Sequence, residues 1–144
     1  MSPGLLRVYL GAAPGVGKTY KMLEEGQRRK EGGTDVVIGF VECHGRKHTE
    51  EMAQGLEVVP PTRINYRGRT FTEMDLEAIL ARAPEVVLVD EMAHTNIPGA
   101  RNAKRWQDIQ ALLHAGLTVI STVNIQHLES VNDVVRQITR GAAA

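Results

Sequence analysis

A glycine-rich stretch near the start of the chain constrains the fold more than any other feature of the sequence. The apolar run 5–10 leads into it at Gly11, and the amphipathic run 18–30 begins where it ends. Gly15 and Gly17 allow backbone conformations and close approaches that a Cβ would obstruct. The order of these three segments predicts a strand, a tight loop and a helix, which is a unit typical of α/β proteins.

The rest of the chain repeats the alternation of apolar and amphipathic runs. The apolar runs are nearly continuous in Val, Ile and Leu, as in parallel strands buried on both faces, and comprise residues 5–10, 35–41, 86–90 and 117–123. We predict helices at 18–30, at 72–81, between an N-cap at Asn102 and Gly116, and around 128–138. The segment 56–69 contains Pro60-Pro61 and is predicted to be a loop with at most a short edge strand. The fold class is therefore α/β, a three-layer sandwich with a mainly parallel sheet.

Length and composition favour one soluble domain spanning residues 1–144. The 17 basic residues balance the 17 acidic ones, so no broad positive field is available for nucleic acid. No stretch approaches the roughly 18 apolar residues of a membrane span, and we expect no membrane insertion. The single cysteine, Cys43, excludes an internal disulfide and suits a reducing compartment, so a cytoplasmic location is expected.

The glycine-rich stretch carries the pattern of a Walker A phosphate loop. Backbone N–H groups of such a loop and of the following helix point at phosphate oxygens, where the helix dipole favours negative charge. Lys18 is expected to reach the β- and γ-phosphates of ATP, and the Thr19 hydroxyl to ligate Mg²⁺. The predicted nucleotide-binding residues of this segment are Gly11, Ala12, Ala13, Pro14, Gly15, Val16, Gly17, Lys18, Thr19 and Tyr20.

One position departs from the strict pattern. The spacing G-x-x-x-x-G-K-[ST] requires glycine where the chain has Ala12, and Gly11 lies one residue early. We interpret Ala12 as a mild constraint on the first turn of the loop, because the strand, the GVGKT sequence and the helix stand in the required order. The expected three-layer sandwich is therefore P-loop NTPase-like.

An acidic pair follows the third apolar run and resembles a Walker B strand end. Asp90 is predicted to hold Mg²⁺, directly or through a water molecule. Glu91 is a candidate catalytic base that would polarise an attacking water or hydroxyl. The alternative is that Asp90 merely ends a strand and that Glu91 is solvated.

Further candidates follow the other two strands of the predicted sheet. Glu42 is a candidate base by analogy with P-loop kinases, or a cap for the turn at Gly45. Arg46 is a candidate contact to the γ-phosphate, and Asn124 is expected, with Thr122, to sense the γ-phosphate or position a water. Arg46 and Lys47 form one basic cluster, and Arg101, Lys104 and Arg105 form a second basic cluster. Either cluster could contact the γ-phosphate, act as an arginine finger or bind an acidic partner, although for each single member a solvated charge at a helix end is the simpler interpretation.

Three longer stretches of sequence carry a family resemblance. They are FVECHGRKHTEEM at 40–52, DEMAHTNIPGARNAKRWQD at 90–108 and STVNIQHLES at 121–130. Together with the two nucleotide motifs they closely resemble the N-terminal cytoplasmic domain of the KdpD potassium-sensor histidine kinase family. The resemblance covers nearly the whole chain, and its departures include Cys43, usually Thr, and Met92, usually Leu.

The resemblance implies an ATP- and Mg²⁺-binding input domain on the cytoplasmic face of the inner membrane. Its partners would be the remainder of the sensor kinase and a potassium-transport complex. The alternative is a phosphotransferase, a serine kinase or ATPase in which Lys18, Glu91 and Glu42 are catalytic. Because the chain ends short of where the family's domain usually stops, we also expect a missing C-terminal strand or helix and an exposed sheet edge.

Overall fold

The computed structural model describes residues 3–11, 16–43 and 45–124. Within them the chain forms seven strands and four helices. In chain order these are β1 (Leu6–Gly11), α1 (Val16–Glu31), β2 (Val36–Phe40), α2 (Lys47–Ala53), β3 (Glu57–Val58), β4 (Thr62–Tyr66), β5 (Arg69–Glu73), α3 (Leu76–Arg82), β6 (Val86–Val89), α4 (Arg105–His114) and β7 (Thr118–Asn124).

Five of the strands form one parallel sheet in the order β1-β7-β6-β2-β3. Successive residues of its strands face opposite sides, and each side has its own apolar cluster. Val87 and Val119 pack on the side of α3 and α4, whereas Leu88 and Ile120 pack on the side of α1. Both faces of the sheet are therefore covered, and the predicted α/β class with a mainly parallel sheet is confirmed.

The segment between β2 and α3 contains more structure than the sequence predicted. The short edge strand is present as β3, but the predicted loop also contains β4 and the start of β5, which form an antiparallel hairpin separate from the main sheet. Its two-residue turn has positive φ at Arg67 (50°) and Gly68 (76°), as a type I′ hairpin turn requires. Arg-Gly is a weaker hairpin signal than Asn-Gly, and this hairpin was therefore missed.

Two predicted helix starts were wrong. Thr72 and Glu73 belong to β5, and the helix starts at Leu76, where the Asp75 carboxylate accepts the Ala78 N–H at 3.0 Å. The N-cap of α4 is Lys104 rather than Asn102. The Asn102 side chain instead donates to the buried carboxylate of Asp108, six positions further along the chain, at 2.7 Å.

Other expectations lie at the ends of the chain. The predicted helix around 128–138 is outside the described residues. Among the described strands, β1 is one edge of the sheet, and Leu10 within it and Leu5 just before it are exposed. In the described part of the chain, no helix has the length and apolar character needed to cross a bilayer.

Candidate functional site

The carboxyl ends of four neighbouring strands converge at one rim of the sheet. β1, β7, β6 and β2 lie side by side and run in the same direction, so their last residues are brought close together. Four of the predicted site residues lie at this rim: Lys18 follows β1, Asn124 ends β7, Asp90 follows β6 and Glu42 follows β2.

Lys18 lies buried at this rim. Its side chain is 6% exposed, and its Nζ has no hydrogen-bond partner among the described residues. The stem crosses the end of β1 over Gly11, where a Cβ would lie 2.3 Å from Lys18 Cδ. Gly11 is therefore required for this path of the lysine, one residue before the position of the strict motif. Residues 12–15 of the predicted loop lie outside the described residues, as does the side chain of Val16.

The structure brings Thr19 and Asp90 together, 71 positions apart in sequence. The Thr19 hydroxyl lies 3.0 Å from Oδ2 and 3.2 Å from Oδ1 of Asp90, and both residues are buried. Two other groups orient the carboxylate: the Thr122 hydroxyl donates to Oδ1 at 2.5 Å, and the Glu42 N–H donates to Oδ2 at 3.3 Å. A hydroxyl beside an oriented carboxylate is an oxygen donor set suited to Mg²⁺.

Glu91 adopts a backbone conformation that is uncommon for a residue with a side chain. Its φ is +57°, in the left-handed region, and its N–H donates to the Thr122 hydroxyl at 2.9 Å. The next N–H, of Met92, donates to the Thr122 carbonyl oxygen at 2.8 Å. Strain of this kind concentrates at functional sites, and here β7 holds the turn that carries the candidate base.

Asn124 lies between the lysine and the acidic strand end. It pairs with Gly11 in the register of β1 and β7 and is 3% exposed. Its Oδ1 has no hydrogen-bond partner in the described part of the chain. The rim therefore contains two buried polar atoms, Lys18 Nζ and Asn124 Oδ1, that have no hydrogen-bond partner among the described residues, which is unusual for buried groups.

The remaining predicted residues lie at the margins of the site. Tyr20 is half-buried on α1, Glu42 is exposed, and Arg46 is exposed at the N-cap of α2. Within the described chain, no hydrogen bond or ion pair joins the Arg46 side chain to the rim. Its contact with a γ-phosphate stays a prediction.

Two open cavities flank the rim. The first, of about 490 Å³, lies at the end of β2 and is lined by residues that include Phe40, Glu42, Cys43 and Thr72. The second, of about 650 Å³, lies between α1 and α2 and is lined by Gly17, Tyr20, Lys21, His48, Glu51 and Met52. The predicted site therefore has space beside it for a ligand larger than a phosphate group.

The sequence interpretation of the second basic cluster was wrong for one of its members. Arg101 and Lys104 are exposed, as expected for solvated charges. Arg101 donates to the Glu77 carboxylate, and Lys104 donates to the Thr95 hydroxyl. Arg105, however, is 1% exposed. It stacks on the Phe40 ring, with Cζ 4.2 Å from the centroid. No local signal distinguishes this arginine, because its neighbours in sequence look like the start of any surface helix.

Arg105 joins the acidic strand end to the hairpin. Its Nη1 donates to the main-chain oxygen of Asp90 at 2.9 Å, and its Nη2 donates to Glu73 Oε1 at 3.1 Å. Glu73, 4% exposed, also accepts the Ile97 N–H at 2.7 Å and lies 3.0 Å from His94 Nε2. The helix predicted at 72–81 includes Glu73, so the local sequence pattern did not indicate a role for this carboxylate.

Burial and charge shift two pKa values near the site. Burial lowers the pKa of Arg105, and the negative charges of Glu73, Asp90 and Glu42 oppose that shift. Arginine keeps its proton in proteins, so this residue is a buried cation. Burial also raises the pKa of the Cys43 thiol, and the charges of Glu50 and Asp90 raise it further.

The rim as a whole fits a magnesium nucleotide. The buried ammonium of Lys18, which has no partner in the described part of the chain, is suited to phosphate oxygens, and α1 begins beside it at Val16 with its N-terminal N–H groups. The oxygens of Thr19 and Asp90 are suited to the metal.

Comparison with known proteins identifies the family. The family model described as the osmosensitive K⁺ channel His kinase sensor domain, KdpD, matches residues 2–143. A sensor protein KdpD from Mycobacterium tuberculosis is 65% identical over 136 residues, which are 94% of this chain and 16% of that protein. The sensor protein KdpD of Escherichia coli K12 is 57% identical over 94% of this chain and 15% of its own length.

A third relative, a putative sensor protein KdpD from Synechocystis, is 57% identical over 94% of this chain and 37% of its own length. The chain thus spans less than half the length of each of these relatives. The chain belongs to the KdpD sensor-domain family.

Proposed function

We propose that this domain binds ATP with Mg²⁺ at the rim formed by β1, β7, β6 and β2. The observation that carries the proposal is the buried ammonium of Lys18, which has no partner among the described residues. Burying a cation without a hydrogen-bond partner costs free energy, and a bound phosphate group would supply the partner that the described residues do not.

The metal end of the site is the Thr19–Asp90 pair. In the bound state the Thr19 hydroxyl would turn from the carboxylate to the metal, and Asp90 would hold the metal directly or through water. Thr122 and the Glu42 N–H keep the carboxylate oriented during this exchange. Mg²⁺ would supply positive charge to the β- and γ-phosphate oxygens.

We further propose that the domain is a cytoplasmic input module of a potassium-responsive sensor histidine kinase. The names of its relatives and the description of its family support this role. Nucleotide occupancy would favour one conformation of the domain and thereby bias the kinase, provided that ATP binds the two conformations with different affinity. A potassium-transport complex is the proposed downstream partner.

Calorimetric titration with ATP tests the binding site. Lys18→Ala is expected to weaken affinity by about ten- to a hundredfold, because charge-assisted contacts contribute roughly 1.5–3 kcal/mol. Lys30→Ala is the matched control, since Lys30 is an exposed lysine in the last turn of the same helix, where it bonds the Gly55 carbonyl oxygen. Unchanged affinity in Lys18→Ala would refute the phosphate site.

The same titration in Mg²⁺ and in EDTA tests the metal end. Wild-type protein is expected to bind ATP more tightly with Mg²⁺, and Asp90→Asn is expected to reduce the difference, because the neutral amide is a poor Mg²⁺ ligand. An equal Mg²⁺ effect in both proteins would remove Asp90 from the metal site.

Phosphoryl transfer is a second candidate function, favoured by the strained turn at Glu91 beside Asp90. Glu91→Gln is expected to keep ATP affinity while slowing release or transfer of labelled γ-phosphate by roughly 10²–10⁴-fold. Transfer that is equally fast in the variant would point to Glu42 as the base. If wild-type protein transfers label to nothing, including water, the domain is a nucleotide-gated switch.

A further inference from the structure

Arg105 makes contacts that a surface arginine does not. One guanidinium nitrogen reaches the Asp90 main-chain oxygen, and the other reaches Glu73, while the Phe40 ring covers one face of the group. Arginine is almost never fully buried unless it is paired, and the fork of its donors can satisfy two acceptors at once.

The bond to the Asp90 carbonyl oxygen lies where the chain leaves the sheet. Asp90 still donates its N–H to Phe40 O at 2.8 Å, but the left-handed turn at Glu91 follows at once. Within the described chain, Arg105 is the hydrogen-bond partner of that carbonyl. The Asp90–Glu91 peptide is therefore held by two groups, because Arg105 bonds its carbonyl oxygen and the Thr122 hydroxyl bonds its N–H.

Glu73 connects the same arginine to the loop after the acidic pair. Residues 91–104 form this loop, and Glu73 accepts the N–H of Ile97 within it and bonds the ring of His94. The start of the loop also bonds the first residue of α4, because the Arg105 main-chain N–H donates to His94 O at 3.1 Å. Glu73 is the last residue of the β4–β5 hairpin, so one buried carboxylate joins the hairpin, the loop and Arg105.

We propose that Arg105, held by Glu73, is a positioning residue for the main chain at the metal end of the nucleotide site, and that this pair couples magnesium–nucleotide occupancy to the loop 91–104 and the β4–β5 hairpin. The proposal rests on the proposed ATP site. In this proposal Lys18 binds the phosphates, whereas Arg105 affects ATP affinity only through the metal end of the site. The contributions of the two residues to ATP affinity can therefore be separated by removing Mg²⁺.

Arg105→Lys tests the positioning role, because lysine keeps the charge but cannot bridge both acceptors. Affinity for ATP in EDTA is expected to stay within about twofold of wild type, and the Mg²⁺ enhancement to fall about tenfold, the size of one charge-assisted hydrogen bond. Arg101→Lys is the matched control: Arg101 also pairs with a glutamate at 3.1 Å, but it is exposed and does not contact Asp90. It should leave both affinities unchanged.

Hydrogen exchange on wild-type protein tests the coupling and does not require a variant to fold. Saturation with Mg²⁺ and ATP is expected to slow exchange of the Glu91 and Ile97 amides at least about threefold relative to ATP in EDTA, because local opening of the loop becomes less favourable. The Ala83 amide, bonded within α3 to Ile79 O, is the internal reference and should not respond.

The outcomes separate this inference from the proposed function. If wild-type protein does not bind ATP, the proposed site fails and the inference falls with it. If wild-type protein binds ATP more tightly with Mg²⁺ and Arg105→Lys keeps the full enhancement, the positioning role is overturned while the site stands. If Ile97 exchange does not change on saturation with Mg²⁺ and ATP, the coupling is overturned, whatever the variant does.

Discussion

Replacing Lys18 with methionine should make the nucleotide-free domain more stable and ATP binding weaker. Methionine has a similar length and can follow the same path over Gly11. It removes an ammonium that is 6% exposed and lacks a partner among the described residues. Because an unsatisfied buried group costs roughly 1–3 kcal/mol, and more when charged, Lys18→Met should raise the free energy of unfolding by at least about 1 kcal/mol.

The opposite change is expected when ATP and Mg²⁺ are present. At a concentration of a hundred times the wild-type Kd, bound ATP would stabilise the native state by about 2.7 kcal/mol. If Lys18→Met raises Kd about a hundredfold, the same concentration only equals the new Kd and contributes about 0.4 kcal/mol. The variant should therefore be the more stable protein without nucleotide and the less stable one with it.

Urea unfolding followed by circular dichroism, with and without Mg²⁺ and ATP, measures both effects in one experiment. Lys30→Met on the exposed end of α1 is the control and should preserve the full nucleotide effect. If Lys18→Met is less stable than wild type without nucleotide, the ammonium is satisfied in the native state. If ATP stabilises it as much as wild type, Lys18 does not contact the phosphates. Either result refutes the reasoning.

Three further predictions concern residues outside the rim. Ala83 is exposed and has a left-handed backbone conformation at the end of α3 (φ 53°). Ala83→Gly should raise the free energy of unfolding in urea by about 1 kcal/mol, because glycine adopts this conformation without strain; a lower free energy of unfolding would contradict this. Hydrogen bonds from Arg82 lower the pKa values of Asp35 and Glu57, so their stabilising effect is present above about pH 5 and lost as pH falls below about 4. Arg82→Ala should therefore destabilise the domain at pH 7 and have less effect at pH 3, whereas an equal loss at both pH values would exclude the ion pairs as its cause. The Cys43 thiol, whose pKa is raised by burial, should react with iodoacetamide more slowly at pH 7.5 than a free cysteine peptide and gain rate at higher pH; an equal rate would place the thiol in solvent.

The sequence by itself determined the parallel sheet and most of the rim. A strand whose residues are apolar on both faces needs both faces covered, so the layer architecture followed from the four continuous apolar runs that form β1, β2, β6 and β7. The carboxyl ends of parallel strands meet at one edge, which made the approach of Thr19 to Asp90 predictable from two local motifs.

Tertiary structure decided the contacts that no local pattern encodes. The β4–β5 hairpin has a weak turn signal in the sequence. Its last residue, Glu73, lies in a segment predicted to be helical, whereas the helix α3 is capped by Asp75 and begins after it. Arg105 resembles its exposed neighbours in sequence, yet it is buried because Phe40, Glu73 and the Asp90 carbonyl oxygen surround it in space. The periodicity of a sequence predicts which elements form, whereas the partners of a buried charge depend on which elements the fold brings together.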